Sequence, residues 1–184
     1  AKNGADVALT YRKHGDEAKA IAEEITKMGR KAVAYKVDVS DFEGVQNLIN
    51  EVVAEFGHLD ILINNAGGGV RIKETVEQSI EDIDTIIKLN LNGVVYGSRI
   101  FGKLMKQQQR GTIINISSAC ANQAWPNFSV YAAAKAGVVE LSKGLYVELR
   151  PYNVRVTVVV PGAGRTHFSK NAGIPEPPVP FKLE

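Results

Sequence analysis

The sequence predicts an α/β fold: a doubly wound parallel sheet with helices on both faces. Three observations carry this. Short apolar, β-branched runs alternate without interruption with amphipathic stretches of helical period. The runs at 60–64 and 111–117 are nearly continuous in apolar residues, as strands covered on both faces are. Glycines and capping residues fall where each helix should end or begin.

In chain order, residues 1–4 read as a helix tail with Gly4 as its C-terminal cap, and 6–11 as a strand. Residues 16–28 read as a helix closed by Gly29, and 31–37 as the next strand. Ser40, Asp41, Phe42 and Glu43 form a capping-box pattern. The helix behind it carries Val45, Leu48, Ile49, Val52, Val53 and Phe56 on one face and ends at Gly57. A strand at 60–64 follows. Ser79 caps a long helix reaching about residue 109, then come a strand at 111–117 and a helix at 128–149 stopped near Pro151. Residues 154–160 are the last strand, and the proline-rich 175–180 read as an extended loop. A parallel sheet entered from a helix tail implies an earlier strand and helix. Residues 1–184 are therefore expected to be one partial domain, lacking the first and last strands of its fold.

Composition narrows the function. Hydrophobic content of 45% with 23% charged residues is ordinary for a globular domain. A net charge of +2 argues against a dedicated nucleic-acid surface. A single cysteine, Cys120, excludes an internal disulfide and fits a reducing compartment, so the cytoplasm is expected. Cys120 reads as a packing residue. No apolar run is long enough to span a membrane. His14 and His58 fall in loops, and His167 follows Pro161-Gly162, where it could approach a substrate. No metal-ligand spacing occurs, and no metal is expected.

Tyr131 and Lys135 carry the most functional information. Four residues on a helix bring two side chains to one face. An ammonium beside a phenol favours the phenolate, and a fall of roughly 2–3 units from the ordinary value of about 10 would allow proton exchange near neutral pH. A solvated surface pair is the bland alternative. The surroundings favour chemistry. Ser118 lies thirteen residues before Tyr131, at the end of the run Thr112-Ile-Ile-Asn-Ile-Ser-Ser118, facing the crevice where open α/β sheets bind ligands. Asn64-Asn65-Ala66-Gly67 ends another strand in a glycine-rich turn. Asn90 sits mid-helix, where asparagine is disfavoured.

At these residues the sequence resembles the short-chain dehydrogenase/reductase superfamily. The match comprises Asp38, Asn64-Asn65-Ala66-Gly67, Asn90, Ser118, Tyr131-x-x-x-Lys135 and Pro161-Gly162, in the family's order and spacing. The family's opening glycine-rich phosphate turn has no counterpart. The resemblance implies a Rossmann-like NAD(P)-binding domain, a small carbonyl or alcohol substrate and a homo-oligomer paired through the helices at 79–109 and 128–149. It implies Tyr131 as general acid/base, Lys135 lowering its pKa and binding the nicotinamide ribose, Ser118 on the substrate oxygen, and Asn90 holding a water in a proton relay. For the cofactor it implies Asp38 and the adjoining Val39 on the adenine. Asn64, Ala66 and Gly67 fall on the adenosine ribose, Pro161 and Gly162 at the nicotinamide, and Thr166 near phosphate. Gly164 departs from the aliphatic residue usual there.

The end of the 6–11 strand bears on the choice of nucleotide. Acidic residues there bind both ribose hydroxyls of NAD. This chain has Arg12 and Lys13 instead, suited to a 2′-phosphate, which favours NADP(H). The motifs are equally close to 3-oxoacyl-carrier-protein reductases and glucose-dehydrogenase-like members. Nucleotide-sugar epimerases and dehydratases share Tyr-x-x-x-Lys but carry a different turn at 64–67. A non-catalytic nucleotide-binding relative would have lost one of the four site residues.

Overall fold

The computed structural model describes residues 1–162 and 168–173. Their elements are β1 (Val7–Tyr11), α1 (Gly15–Lys27), β2 (Ala32–Lys36), α2 (Phe42–Phe56) and β3 (Ile61–Asn64). After these come α3 (Ile80–Ile87), α4 (Gly93–Gln108), β4 (Gly111–Ile116), α5 (Ser129–Leu149), β5 (Val154–Val159) and α6 (Phe168–Ala172). The chain divides into two compact units, 1–58 and 59–184. Every strand pairing is parallel, and helices alternate with strands, so the α/β reading stands. Thr166, Gly164 and His167 lie outside the described residues, as does the proline-rich end.

In the first unit β1 pairs with β2, from Val7 opposite Ala32 to Tyr11 opposite Lys36. Helix α1 has Asp16 and Glu17 in its first turn and Lys27 in its last, the polarity a helix dipole favours, and buries Ala18 and Ala22. The expected capping box shifts by one residue. Asp41, not Ser40, caps α2, its carboxylate accepting from the N–H groups of Glu43 and Gly44. Ser40 is drawn off by Asp38, to which it donates from both its N–H (3.0 Å) and its hydroxyl (2.6 Å). Gly57 ends α2 with φ of 77°, a conformation glycine adopts without strain. Residues 1–4 form a turn closed by the Gly4 N–H on Ala1 O (2.8 Å), with Gly4 at a φ of 93°.

In the second unit the strand order is β3-β4-β5. Helix α4 packs on β3 and β4, and α5 packs mainly on β5. Met105, Ile113, Leu149, Val154 and Val156 form the apolar core between them. Through this interior runs a ladder of side-chain amides and hydroxyls. Asn64 Nδ2 donates to Ser98 Oγ (3.1 Å) and Asn115 Oδ1 (2.8 Å). Asn115 Nδ2 donates to Ser142 Oγ (3.0 Å), which donates to Val138 O (2.7 Å). A side chain at Gly97 would collide with the Asn64 carboxamide, so α4 needs glycine there to approach β3. The ladder joins β3, β4, α4 and α5 by groups that each satisfy the next, which is what keeps buried polar atoms from being costly.

The expected long helix from Ser79 is capped as predicted, Ser79 Oγ accepting from the Asp82 N–H. It is not continuous. Between α3 and α4 the residues Lys88–Asn92 form a π-helical turn, which holds one residue more than an α-turn. Asn90 lies in its middle. Among the described residues no helix is long and apolar enough to cross a membrane.

Candidate active site

The end of β4 and the face of α5 meet at Lys135. The Ser117 hydroxyl donates to the Lys135 carbonyl (2.7 Å), and Lys135 Nζ donates to the Ile116 carbonyl (3.0 Å). Helix and strand are thus tied at one residue, by its backbone and by its side chain. Lys135 is 4% exposed and Tyr131 7%. The surface-pair alternative therefore fails. Lys135 Nζ stands 5.8 Å from the centre of the Tyr131 ring.

Asn90 holds the opposite wall and is fully buried. Its Oδ1 accepts from the Gly68 N–H (3.0 Å), while Nδ2 donates to Gly68 O (2.9 Å) and Ile86 O (3.0 Å). Both amide protons are spent. A water relay through Asn90 would have only an acceptor to offer: the second lone pair of Oδ1 or the main-chain carbonyl. What the side chain does is fasten the turn after Asn64 to the π-turn. Gly67 lies between the two walls. A Cβ there would fall 2.8 Å from Asn90 Oδ1 and 3.2 Å from Lys135 Nζ, so only glycine leaves both side chains in place. Gly68 and Gly162 face open space.

Ser118 starts the short turn Ala119–Ala121 and accepts the Cys120 N–H on its Oγ (3.3 Å). The Ala119 N–H donates to Pro161 O (2.9 Å), which brings the segment after β5 beside Ser118. Cys120 is buried with Ile86 and Tyr131, in agreement with a packing role. The structure thus gathers Asn90, Gly67, Ser118, Tyr131, Lys135, Pro161 and Gly162 within the second unit. Asn64 belongs to the same unit, but its amide Nδ2 is committed to Ser98 and Asn115.

The electrostatics correct one expectation. Burial pushes the Tyr131 phenol up to about 12, with the Cys120 thiol adding to the rise and the side-chain hydrogen bond with Ser118 opposing it. Burial also pushes Lys135 down to about 8. The expected fall in the Tyr131 pKa is absent, because desolvation of the phenolate outweighs the Ser118 hydrogen bond, and the Lys135 ammonium gives its hydrogen bond to Ile116 O.

In the first unit Arg12 Nη1 reaches Asp38 Oδ2 at 3.4 Å, with both side chains partly exposed. Burial alone would raise the Asp38 carboxyl, but the two Ser40 hydrogen bonds and the Arg12 charge leave it below the usual carboxylate range. Val39 is half-buried in the turn between Asp38 and Ser40. His14 precedes α1 without capping it, is largely exposed and lies 3.4 Å from Glu17.

Several residues at the site were not singled out by sequence reasoning. Ser117 and Gly68 act by touching the backbone or side chain of a recognised residue. Asn115 gave a usable signal, a lone amide inside an apolar strand. Phe128 and Phe168 stand beside Tyr131, and α6, which carries Phe168, falls in a stretch to which the sequence reading assigned no element.

Comparison with known proteins agrees with this geometry. A family model described as short chain dehydrogenase matches residues 1–176. A 3-oxoacyl-[acyl-carrier-protein] reductase of Synechocystis sp. is 34% identical over 171 residues, which cover 93% of this chain and 69% of that protein. Among solved structures, an NAD+-bound xylitol dehydrogenase superposes with a TM-score of 0.85 at 25% identity, covering 90% of this chain and 63% of that one. A metagenomic short-chain oxidoreductase in complex with NADP gives 0.82 at 32% identity, covering 87% and 72%. The chain thus spans roughly two thirds of the length of these relatives.

The buried lysine has a consequence for stability. Its folded pKa, about 8, lies below the ordinary 10.5, so the folded state binds fewer protons between those values. Stability therefore rises with pH across that window, and the cost of the buried charge is present in full below it. Lys135→Met should raise stability at pH 7 by on the order of 2 kcal/mol. Its advantage over the parent should shrink as pH rises from 8 towards 10.5. Urea unfolding at several pH values checks this, and a pH-independent difference would contradict it.

Proposed function

Because the chain belongs to the short chain dehydrogenase family, we propose that it transfers hydride between NADP(H) and a carbonyl or secondary alcohol, with Tyr131 as general acid/base. The observation that carries this is the pair of buried groups on one helix face, Tyr131 and Lys135, with Ser118 beside the phenol and a bare Gly67 between Asn90 and Lys135. The site fits a nucleotide. Gly68 and Gly162 leave room for close backbone approach, and Lys135 Nζ donates to Ile116 O, with further N–H donors to offer ribose hydroxyls.

The nicotinamide, when bound, supplies the hydride. The chain's own groups do the rest. Tyr131 gives its proton to the carbonyl oxygen during reduction and takes it from the alcohol in the reverse direction. Ser118 donates to the same oxygen, where charge develops. Lys135 holds the ribose and favours the phenolate electrostatically once its ammonium faces the phenol. Asn90 keeps the turn at Gly67-Gly68 in place, and any relay water is held by its remaining acceptors. On the adenosine side Asp38 and Val39 take the adenine, and the backbone at Asn64, Ala66 and Gly67 takes the ribose. Pro161 and Gly162 bound the nicotinamide. Thr166 is kept as a phosphate contact on its sequence position alone.

The preference for NADP(H) rests on Arg12, whose guanidinium is about half exposed and held in place by Asp38. The homo-oligomer is proposed on α5, which leaves Ala133, Tyr146 and Val147 exposed and has open space at Gly144.

In the full-length protein, Tyr131→Phe should lower kcat by about 10²–10⁴-fold. Retention of more than half the activity would remove the phenol from the mechanism. Arg12→Asp should move the ratio of kcat/KM for NADPH over NADH towards NADH, and an unchanged ratio would mean that Arg12 does not read the phosphate. Light scattering at micromolar concentration should give a dimer or larger, and a monomer would contradict the pairing proposed on α5.

A further inference from the structure

Three successive residues at the end of β4 meet the two proposed site residues of α5. The Ile116 carbonyl accepts from Lys135 Nζ (3.0 Å), the Ser117 hydroxyl donates to the Lys135 carbonyl (2.7 Å), and the Ser118 side chain shares a hydrogen bond with Tyr131. Ser117 is 2% exposed, and its own N–H donates to Val159 O (2.8 Å) on β5. Its backbone is therefore fixed in the sheet while its side chain reaches the helix.

The contact belongs to a repeating pattern. Ile113 and Leu149 share one buried cluster, Asn115 Nδ2 donates to Ser142 Oγ (3.0 Å), and Ser117 meets Lys135. Each step of two along the strand, which returns a side chain to the same face, is matched by a step of seven along the helix, about two turns. Helix α5 thus lies along β4 with its register fixed at three points, and Ser117 is the point nearest the site. A helical carbonyl already accepts one N–H within its own helix. Lys135 O has a second lone pair, and that one receives Ser117.

Tyr131 and Lys135 ride on the same helix, but Lys135 Nζ is moored to the strand through Ile116 O. The gap between the helix and the strand end therefore decides how far the ammonium stands from the phenol, with Nζ now 5.8 Å from the ring centre. We propose that Ser117 is a positioning residue for hydride transfer: its hydroxyl holds α5 against the end of β4 at Lys135, and so holds the Lys135 ammonium within reach of the Tyr131 phenol. This rests on the hydride-transfer reading above and deepens it. Ser117 acts through Lys135. The titratable groups packed with Tyr131 are Cys120, from the turn after β4, and Lys135 itself. With α5 loosened, the ammonium draws away from the phenol and the phenolate loses its support.

The test uses full-length protein oxidising secondary alcohols (2-butanol, cyclohexanol and 1-phenylethanol) with NADP+ or NAD+ across a range of pH. The rise of kcat/KM with pH reports the Tyr131–Lys135 pair acting as base. Ser117→Ala should move that inflection up by about one unit, a loss of about tenfold below it, and leave the plateau above it within about twofold of the parent. Ser117→Thr, which keeps the hydroxyl, should keep the parent inflection. Ser142→Ala, which removes the next tie two turns on, should lower stability in urea and leave the inflection in place. An equal loss at every pH, an unmoved inflection in Ser117→Ala, or the same shift in Ser142→Ala would make Ser117 a packing residue and overturn the inference. If no alcohol is oxidised with either nicotinamide, hydride transfer itself fails. The role of Ser117 is then read from the ¹³Cε resonance of Lys135, assigned with Lys135→Met. It stands if Ser117→Ala moves the titration of that resonance upward, as the ammonium leaves its buried place, and falls if the titration is unchanged.

Discussion

Asn90 makes hydrogen bonds to both the N–H and the C=O of Gly68, from a position with no access to water. The arrangement of the site depends on that exchange. Without it the buried Asn90 carboxamide would lose its Gly68 partners, at a cost of about 1–3 kcal/mol for each group left unsatisfied. With it, Gly67 is held where its missing side chain leaves room for both Asn90 and Lys135. The amide ladder from Asn64 through Asn115 to Ser142 fixes the strand from which this turn departs. Ser117 fixes the helix on the other side. The site is built by hydrogen bonds to backbone from side chains that do no chemistry themselves.

Burial sets the chemistry of the two titrating groups in opposite directions. A phenol pushed up to about 12 holds its proton, and a lysine pushed down to about 8 gives one up more readily than usual. The same loss of water that makes the phenolate costly makes a nearby positive charge strong, because both effects grow as the local dielectric falls. The position of the Lys135 ammonium relative to the phenol oxygen is therefore the quantity to which Tyr131 acidity is most sensitive.

Much of this was legible in the sequence. Strands at 60–64 and 111–117 announced themselves by apolar runs, and helix ends by Gly57 and Ser79, since these signals are local. The residues proposed for catalysis could be picked out as a set because each occupies a recognisable spacing. What was not legible depends on contacts between distant segments. Asp41 displaces Ser40 as the cap because Asp38, two residues before Ser40, takes both of its donors. The Tyr131 pKa turns upward because Ile86, Cys120 and the residues packed around them bury it, which spacing along α5 does not reveal. Asn90 was recognised as anomalous for a helix, but the π-turn around it is a backbone event that no side-chain periodicity reports. Phe168 lies on a five-residue helix, too short for any periodic pattern.

The π-turn at Lys88–Asn92 also sets a rule of phase. One residue beyond the α-helical count turns everything after it by about 100° relative to α3. The faces of α4 that bury Val94, Ser98, Phe101 and Met105 are aimed inward only with that offset included. A deletion of one residue anywhere in Lys88–Asn92 would restore a regular helix, yet it would swing those side chains off the sheet and carry Ser98 away from Asn64. Chain length in this stretch is therefore as constrained as residue identity. Insertions and deletions among relatives should fall in the loops before Ser79 or after Gln109, and not between them.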